Sequence, residues 1–132
     1  MTILADASAL VAIATREADA PQLIGALQEH NDRLCCAVGT WEAALAIARK
    51  RTVTVDQARD AIADMLNRLS IRSVAIDDAE YRLALEAHRA YGKGTGHAAR
   101  LNMGDCFAYA CAKANGARLL YKGDNFAQTD LG

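Results

Sequence analysis

Most of the usual markers of chemistry are missing from this chain. It has no charge excess: 15 Lys and Arg against 16 Asp and Glu leave a net charge of -1. No global field steers such a protein to nucleic acid, so any nucleic-acid contact needs a local basic patch. Its cysteines, Cys35, Cys36, Cys106 and Cys111, show no C-x-x-C spacing and sit inside apolar stretches. Adjacent Cys35 and Cys36 point to opposite faces of a strand, and a structural zinc site would have ligand types without ligand spacing. We therefore expect four reduced core cysteines. There is no G-x-x-x-x-G-K-[ST] phosphate loop and no Ser-His-Asp or Cys-His arrangement. "MTILADASAL" lacks the basic region and long apolar segment of a signal peptide, and no stretch is long and apolar enough to span a bilayer. The expected location is the cytoplasm. No repeat or linker divides the chain, so residues 1–132 are expected to form a single domain.

What is present alternates. Hydrophobic residues make up 52% of the chain and charged residues 23%, the balance of a globular protein. Short apolar runs at Thr2–Ala5, Leu34–Val38, Ser73–Ile76 and Arg118–Tyr121 read as strands. Helical patterns lie between them. One follows Asp6 or Ser8 and carries Leu10 and Ile13, and one has Pro21 in its first turn with Leu23, Ile24 and Leu27 inside. A third starts at Gly39–Thr40, with Trp41, Ala44, Leu45 and Ala48 as its inner stripe. A fourth begins at Thr54 or Asp56 with Ala58, Ile62, Met65, Leu66 and Leu69 inside. A fifth runs from Asp77–Asp78 to about Tyr91, and the last starts at Asp105 with Phe107, Ala110, Cys111 and Ala114 on one face. "GKGTG" (Gly92–Gly96) is the only Gly-rich loop. Apolar strands alternating with helices predict an α/β fold, a parallel sheet of four to five strands covered on both faces.

In such a sheet the site lies beyond the carboxyl ends of the strands. Asp6 follows the first strand there, Glu42 falls in the first turn of the helix after the second, and Asp124 follows the fourth. Asp105 joins them if the "GKGTG" loop brings the chain back to the same edge. Each acid alone has a plain explanation as a cap, a helix-dipole partner or a turn residue. Four converging carboxylates without a cation would repel one another. A hard divalent cation, Mg²⁺ or Mn²⁺, resolves this and points to metal-assisted hydrolysis of a phosphodiester.

Four stretches, "ILADASAL", "TWEAALAIARK", "YGKGTGHAARLNMGDCFAYACAK" and "LLYKGDNFAQTDL", resemble the PIN-domain ribonucleases, and among them the VapC toxins of bacterial type II toxin–antitoxin pairs. The run from Leu101 to Ala110 is the most specific, and the likeness covers nearly the whole chain. It implies a PIN-like three-layer α/β/α sandwich and a divalent-metal-dependent endoribonuclease. It also implies a homodimer and a VapB-like antitoxin that covers the cleft. Asp6, Glu42 and Asp105 fall on the family's three metal-binding acids, and Ser8 on the hydroxyl that orients the first of them. Many relatives place an Asp directly before the Phe; here Asn125 stands there, so either Asp124 substitutes from one position earlier or a three-acid site suffices, with Asp130 nearby. Lys93, His97, Arg100 and Lys122 are the candidate RNA phosphate contacts. Trp41 and the tyrosines read as core rather than as base-stacking platforms. Two other readings keep the α/β fold: a PIN-fold binding module silenced at Asn125, and a phospho-accepting receiver domain. The receiver reading wants an acidic pair after the first strand, where Asp6 stands alone; a D-x-D phosphatase is disfavoured by Ser8.

Overall fold

Why the short apolar runs become buried strands is visible in how their side chains alternate. The computed structural model describes residues 1–132, with strands β1 (Thr2–Ala5), β2 (Asp32–Cys36), β3 (Ile71–Val74) and β4 (Arg118–Leu120). They form one parallel sheet in the order β3-β2-β1-β4. Successive side chains on a strand point to opposite faces. Ile3, Ala5, Cys35 and Leu120 accordingly join one hydrophobic core. Leu4, Leu34, Cys36 and Leu119 join the other. The sheet is thus the middle of three layers.

The first core is closed by α1 (Ala7–Ala14), α2 (Ala20–Gln28), α3 (Ala37–Arg51) and α4 (Val55–Arg68). The second is closed by α5 (Asp78–Tyr91) and α6 (Met103–Ala114). Ile3, Leu4, Leu10 and Leu34 are wholly buried, each contributing about 1.5–3 kcal/mol relative to exposure. All four cysteines are buried and free, with Cys35 and Cys36 on opposite faces as the strand period requires. No helix is long and apolar enough to cross a membrane.

Several element boundaries differ from the sequence expectation, each for a local reason. Strand β2 ends at Cys36, and α3 begins at Ala37 rather than Gly39–Thr40, because Thr40 Oγ1 donates back to the Cys36 carbonyl at 3.0 Å and closes the first turn. The buried face of α3 is Gly39, Ala43 and Ile47; Trp41, expected in the core, is 61% exposed, and Tyr81 is 52% exposed. Strand β3 lies two residues earlier than read, at the sheet edge, where Arg72 forms a two-pronged ion pair with Asp32. On α6, Tyr109 and Ala112 are buried, whereas Ala114 is exposed and Phe107 only half-buried.

The loop after α5 reverses the chain as the acids require. Gly94 and Gly96 both have φ of 90°, a conformation that L side chains rarely adopt. Leu101 N–H donates to the Tyr91 carbonyl at 2.9 Å, and Lys93 N–H to the Leu101 carbonyl at 2.8 Å. This clasp starts α6 beside the end of α5, at the carboxyl edge of the sheet.

Candidate active site

Asp6 ends β1 and caps α1, so the capping reading is correct as far as it goes. Its Oδ1 accepts the Ala9 N–H at 3.2 Å and the Ser8 hydroxyl at 2.6 Å. Ser8 Oγ in turn accepts the Lys122 N–H at 2.8 Å, tying the loop after β4 to the loop after β1. All of this occupies one oxygen. Oδ2 accepts no hydrogen bond from the chain, although Asp6 is only 6% exposed. Burial pushes the carboxyl up to about 7; the Ser8 and Ala9 hydrogen bonds oppose this, and the charge of Asp105 adds to it.

Asp105 repeats the arrangement. It occupies the third position of α6 in a reciprocal cap with Asn102: Asp105 N–H donates to Asn102 Oδ1 at 2.8 Å, and Asn102 N–H to Asp105 Oδ2 at 3.1 Å. Asn125 Nδ2 also donates to Oδ2, at 3.3 Å. Again one oxygen is committed to structure while Oδ1 accepts nothing. Burial raises the pKa of this group, with the Asn102 and Asn125 hydrogen bonds opposing it.

Glu42 has no such structural duty. Because α3 starts early, it lies in the second turn, too far in to complement the helix N-terminus, and it makes no hydrogen bond. Its carboxylate lies on Gly104, where a Cβ would clash with both carboxylate oxygens. Burial and then the Asp105 charge raise its pKa. The helical backbone of Gly104 would accept a methyl, so Gly104→Ala should fold and displace Glu42 alone. If the acids act together in metal-assisted phosphodiester hydrolysis, we expect at least a tenfold loss of that activity with a nearly unchanged melting temperature; full activity in that variant would remove Glu42 from the site.

Asp6, Glu42 and Asp105 line one cleft of about 430 Å³, together with Ser8, Glu17, Arg49, Lys50, Asn102 and Lys122. No three acidic, His or Cys side chains converge closely enough to hold one ion together. The donor set nevertheless fits a hard cation. It is all oxygen, two acids each keep an oxygen free, and Glu42 would break no hydrogen bond on binding.

Residues 3–131 match the PIN domain family. A VapC ribonuclease of Rhizobium meliloti is 38% identical over 96% of this chain and 97% of its own. Ribonuclease VapC42 of Mycobacterium tuberculosis is 35% identical over 98% and 96%, and ribonuclease VapC of Mycolicibacterium smegmatis 41% over 96% and 95%. The chain belongs to the VapC family of PIN-domain ribonucleases. The fold agrees with the crystal structure of Mycobacterium tuberculosis VapC20, described as a sarcin-ricin loop cleaving toxin. The TM-score is 0.71, at 14% identity over 95% of this chain and 92% of that one.

Within this VapC-type frame the other expected site residues separate. Asp124 is exposed, makes no side-chain hydrogen bond and does not line the cleft; its neighbour Asn125 meets Asp105 instead. Asp130 is held by Lys113 and by the Tyr109 and Tyr91 hydroxyls, which lower its pKa in that order, and ties the C-terminus to α5 and α6 rather than joining the acids. Lys93, His97 and Arg100 also lie off the cleft. Lys93 lines an apolar groove between α5 and α6, and His97 packs edge-on against Tyr91 and accepts the Ala99 N–H. Arg100 holds a left-handed backbone, with φ of 52°. Lys122 does reach the cleft, where it pairs with Glu17 at 2.8 Å and Asp19 at 3.4 Å. Residues overlooked in the sequence are Glu17, Asn102, Arg49 and Lys50. The S/T/N-x-x-D/E spacing of Asn102 and Asp105 was a usable signal; Glu17 gave none.

Proposed function

We propose that this VapC-family protein is the toxin of a type II toxin–antitoxin pair, a Mg²⁺- or Mn²⁺-dependent endoribonuclease whose acids are Asp6, Glu42 and Asp105. One observation carries the reading. A buried carboxylate with one free oxygen shares a cleft with two further raised carboxylates, an arrangement that is unfavourable without a cation. A bound divalent ion would supply polarisation of a phosphoryl oxygen and ease attack by water.

The chain's own residues do the rest. Ser8 fixes the rotamer of Asp6, Asn102 and Asn125 fix Asp105, and Gly104 gives Glu42 room. Asp124 enters this reading only as an outer acid that a bound ion or RNA would have to draw in. Lys122 supplies positive charge at the rim, while Lys93, His97 and Arg100 would meet only RNA that extends past the α5–α6 side. Protein partners are expected as well: a homodimer and a VapB-like antitoxin in the cytoplasm. Two apolar faces support that expectation, one around exposed Trp41 and Val55, the other around Tyr81, Leu85 and Met103.

The test is incubation of antitoxin-free protein with total cellular RNA, with Mg²⁺ or Mn²⁺ and with chelator. Discrete fragments that disappear with chelator are expected. A folded sample that never cuts would favour the silenced-module reading, and Asn125→Asp would then be the variant expected to restore cleavage.

A further inference from the structure

Three cations end α3, namely Arg49, Lys50 and Arg51, and a helix C-terminus attracts cations whatever the protein does. The structure separates them. Arg51 reaches away to the end of α1, donating to the Ala14 carbonyl at 3.5 Å. Arg49 and Lys50 line the acid cleft, two turns beyond Glu42, with Ala46 between. Both are exposed, and neither forms an ion pair. The third cation of the cleft, Lys122, is already engaged by Glu17 and Asp19. The charge of Lys50 is near enough to Glu17 to help lower its pKa, after the larger effect of Lys122, but it forms no ion pair with it. Arg49 and Lys50 are therefore the unpaired positive charges facing a cleft lined with carboxylates. Seven residues of helix separate Glu42 from Arg49 by roughly 10 Å along the axis, a span on the scale of one or two nucleotides of extended single strand.

We propose that Arg49 and Lys50 form a phosphate subsite, gripping the backbone of single-stranded RNA one or two nucleotides from the bond that is cut. The strand then runs along α3 from Glu42 toward its C-terminal end. This rests on the ribonuclease reading and adds a direction to it. Arg49 and Lys50 would hold phosphate through charge and hydrogen bonds to its oxygens, so they position the strand without reading its bases.

The experiment measures binding, so that it is independent of turnover. A fluorescent single-stranded RNA oligonucleotide is titrated with the full chain carrying Asp105→Asn, across about 50–200 mM salt. Adding Arg49→Gln and Lys50→Gln together should weaken binding roughly tenfold and reduce the salt slope by about 1.4, two phosphate contacts at ~0.7 each. Glutamine keeps the helix propensity, and thermal melting checks the fold. Arg59→Gln with Arg68→Gln, on the outer face of α4, should change neither quantity. If the Asp105→Asn parent binds RNA and the Arg49/Lys50 variant binds it equally with the same slope, the subsite is overturned while the ribonuclease reading stands. Equal weakening by the α4 pair also overturns it, as does displacement of the RNA by polyglutamate as readily as by unlabelled RNA, which would assign the pair to an acidic peptide. If the parent binds no RNA even at low salt, the ribonuclease reading falls first.

Discussion

Asp105→Asn is expected to lower RNA cleavage by roughly 10²–10³-fold, the scale on which a single electrostatic group in a reaction centre acts, without unfolding the protein. The substitution separates the two duties of this residue. As the third residue of α6, an asparagine can still accept the Asn102 N–H through its amide oxygen, so the cap that starts the helix survives. What is lost is the negative charge and the free oxygen facing the cleft. Removing that charge also relieves Asp6 and Glu42, both of which are pushed up by it. The metal-free variant should therefore melt no lower than the parent, while its Mg²⁺-induced thermal shift shrinks. Cleavage and melting measured on the same preparation decide the matter. Undiminished cleavage would remove Asp105 from the site, and a collapsed melting transition would mean that the cap was its main purpose.

The same division of labour explains why the convergence of Asp6, Glu42 and Asp105 on one cleft is legible in the sequence. Parallel strands followed directly by helices bring Asp6 and the start of α3 to one edge by topology alone, and "GKGTG" announced the reversal that returns Asp105. Period-two alternation made the strands readable, down to the opposite destinations of Cys35 and Cys36. Where structure and sequence pattern part, the deciding facts are not periodic. Whether Asp124 or Asn125 turns inward depends on the loop after β4, where Gly123 has φ of 99° and Asn125 enters a short 3₁₀ turn. Nothing in "KGDNF" specifies that geometry. Trp41 shares helical spacing with Ala44, Leu45 and Ala48, yet the face that α3 turns inward is Gly39, Ala43 and Ile47. Arg49 and Lys50 were hidden as an ordinary basic helix end, since only the packed structure shows which of three adjacent cations faces the acids.

Asp6 should make the stability of the metal-free protein depend on pH in the direction opposite to an ion-paired carboxylate. Its pKa rises from an ordinary 3.8 to about 7 because the folded protein buries the charge. Between these values the folded state keeps a proton that the unfolded chain has released, so stability is fully present below about pH 4 and is lost as pH rises to about 7. A shift of about three units corresponds to roughly 4 kcal/mol, an upper scale, and half of it would still move the melting temperature by several degrees. Glu42 and Asp105 shift in the same direction. Asp6→Asn removes the titration and keeps a good capping residue at the start of α1. The melting difference between this variant and the parent should thus be near zero at about pH 4 and clearly positive at pH 8. Divalent metal should reverse the pattern in the parent: binding requires the ionised carboxylate, so Mg²⁺ stabilises strongly at pH 8, weakly at pH 5, and little at either pH in Asp6→Asn. A difference that does not change with pH would mean that Asp6 is ionised and satisfied without metal. The free oxygen of Asp6 would then be solvated rather than reserved for a cation.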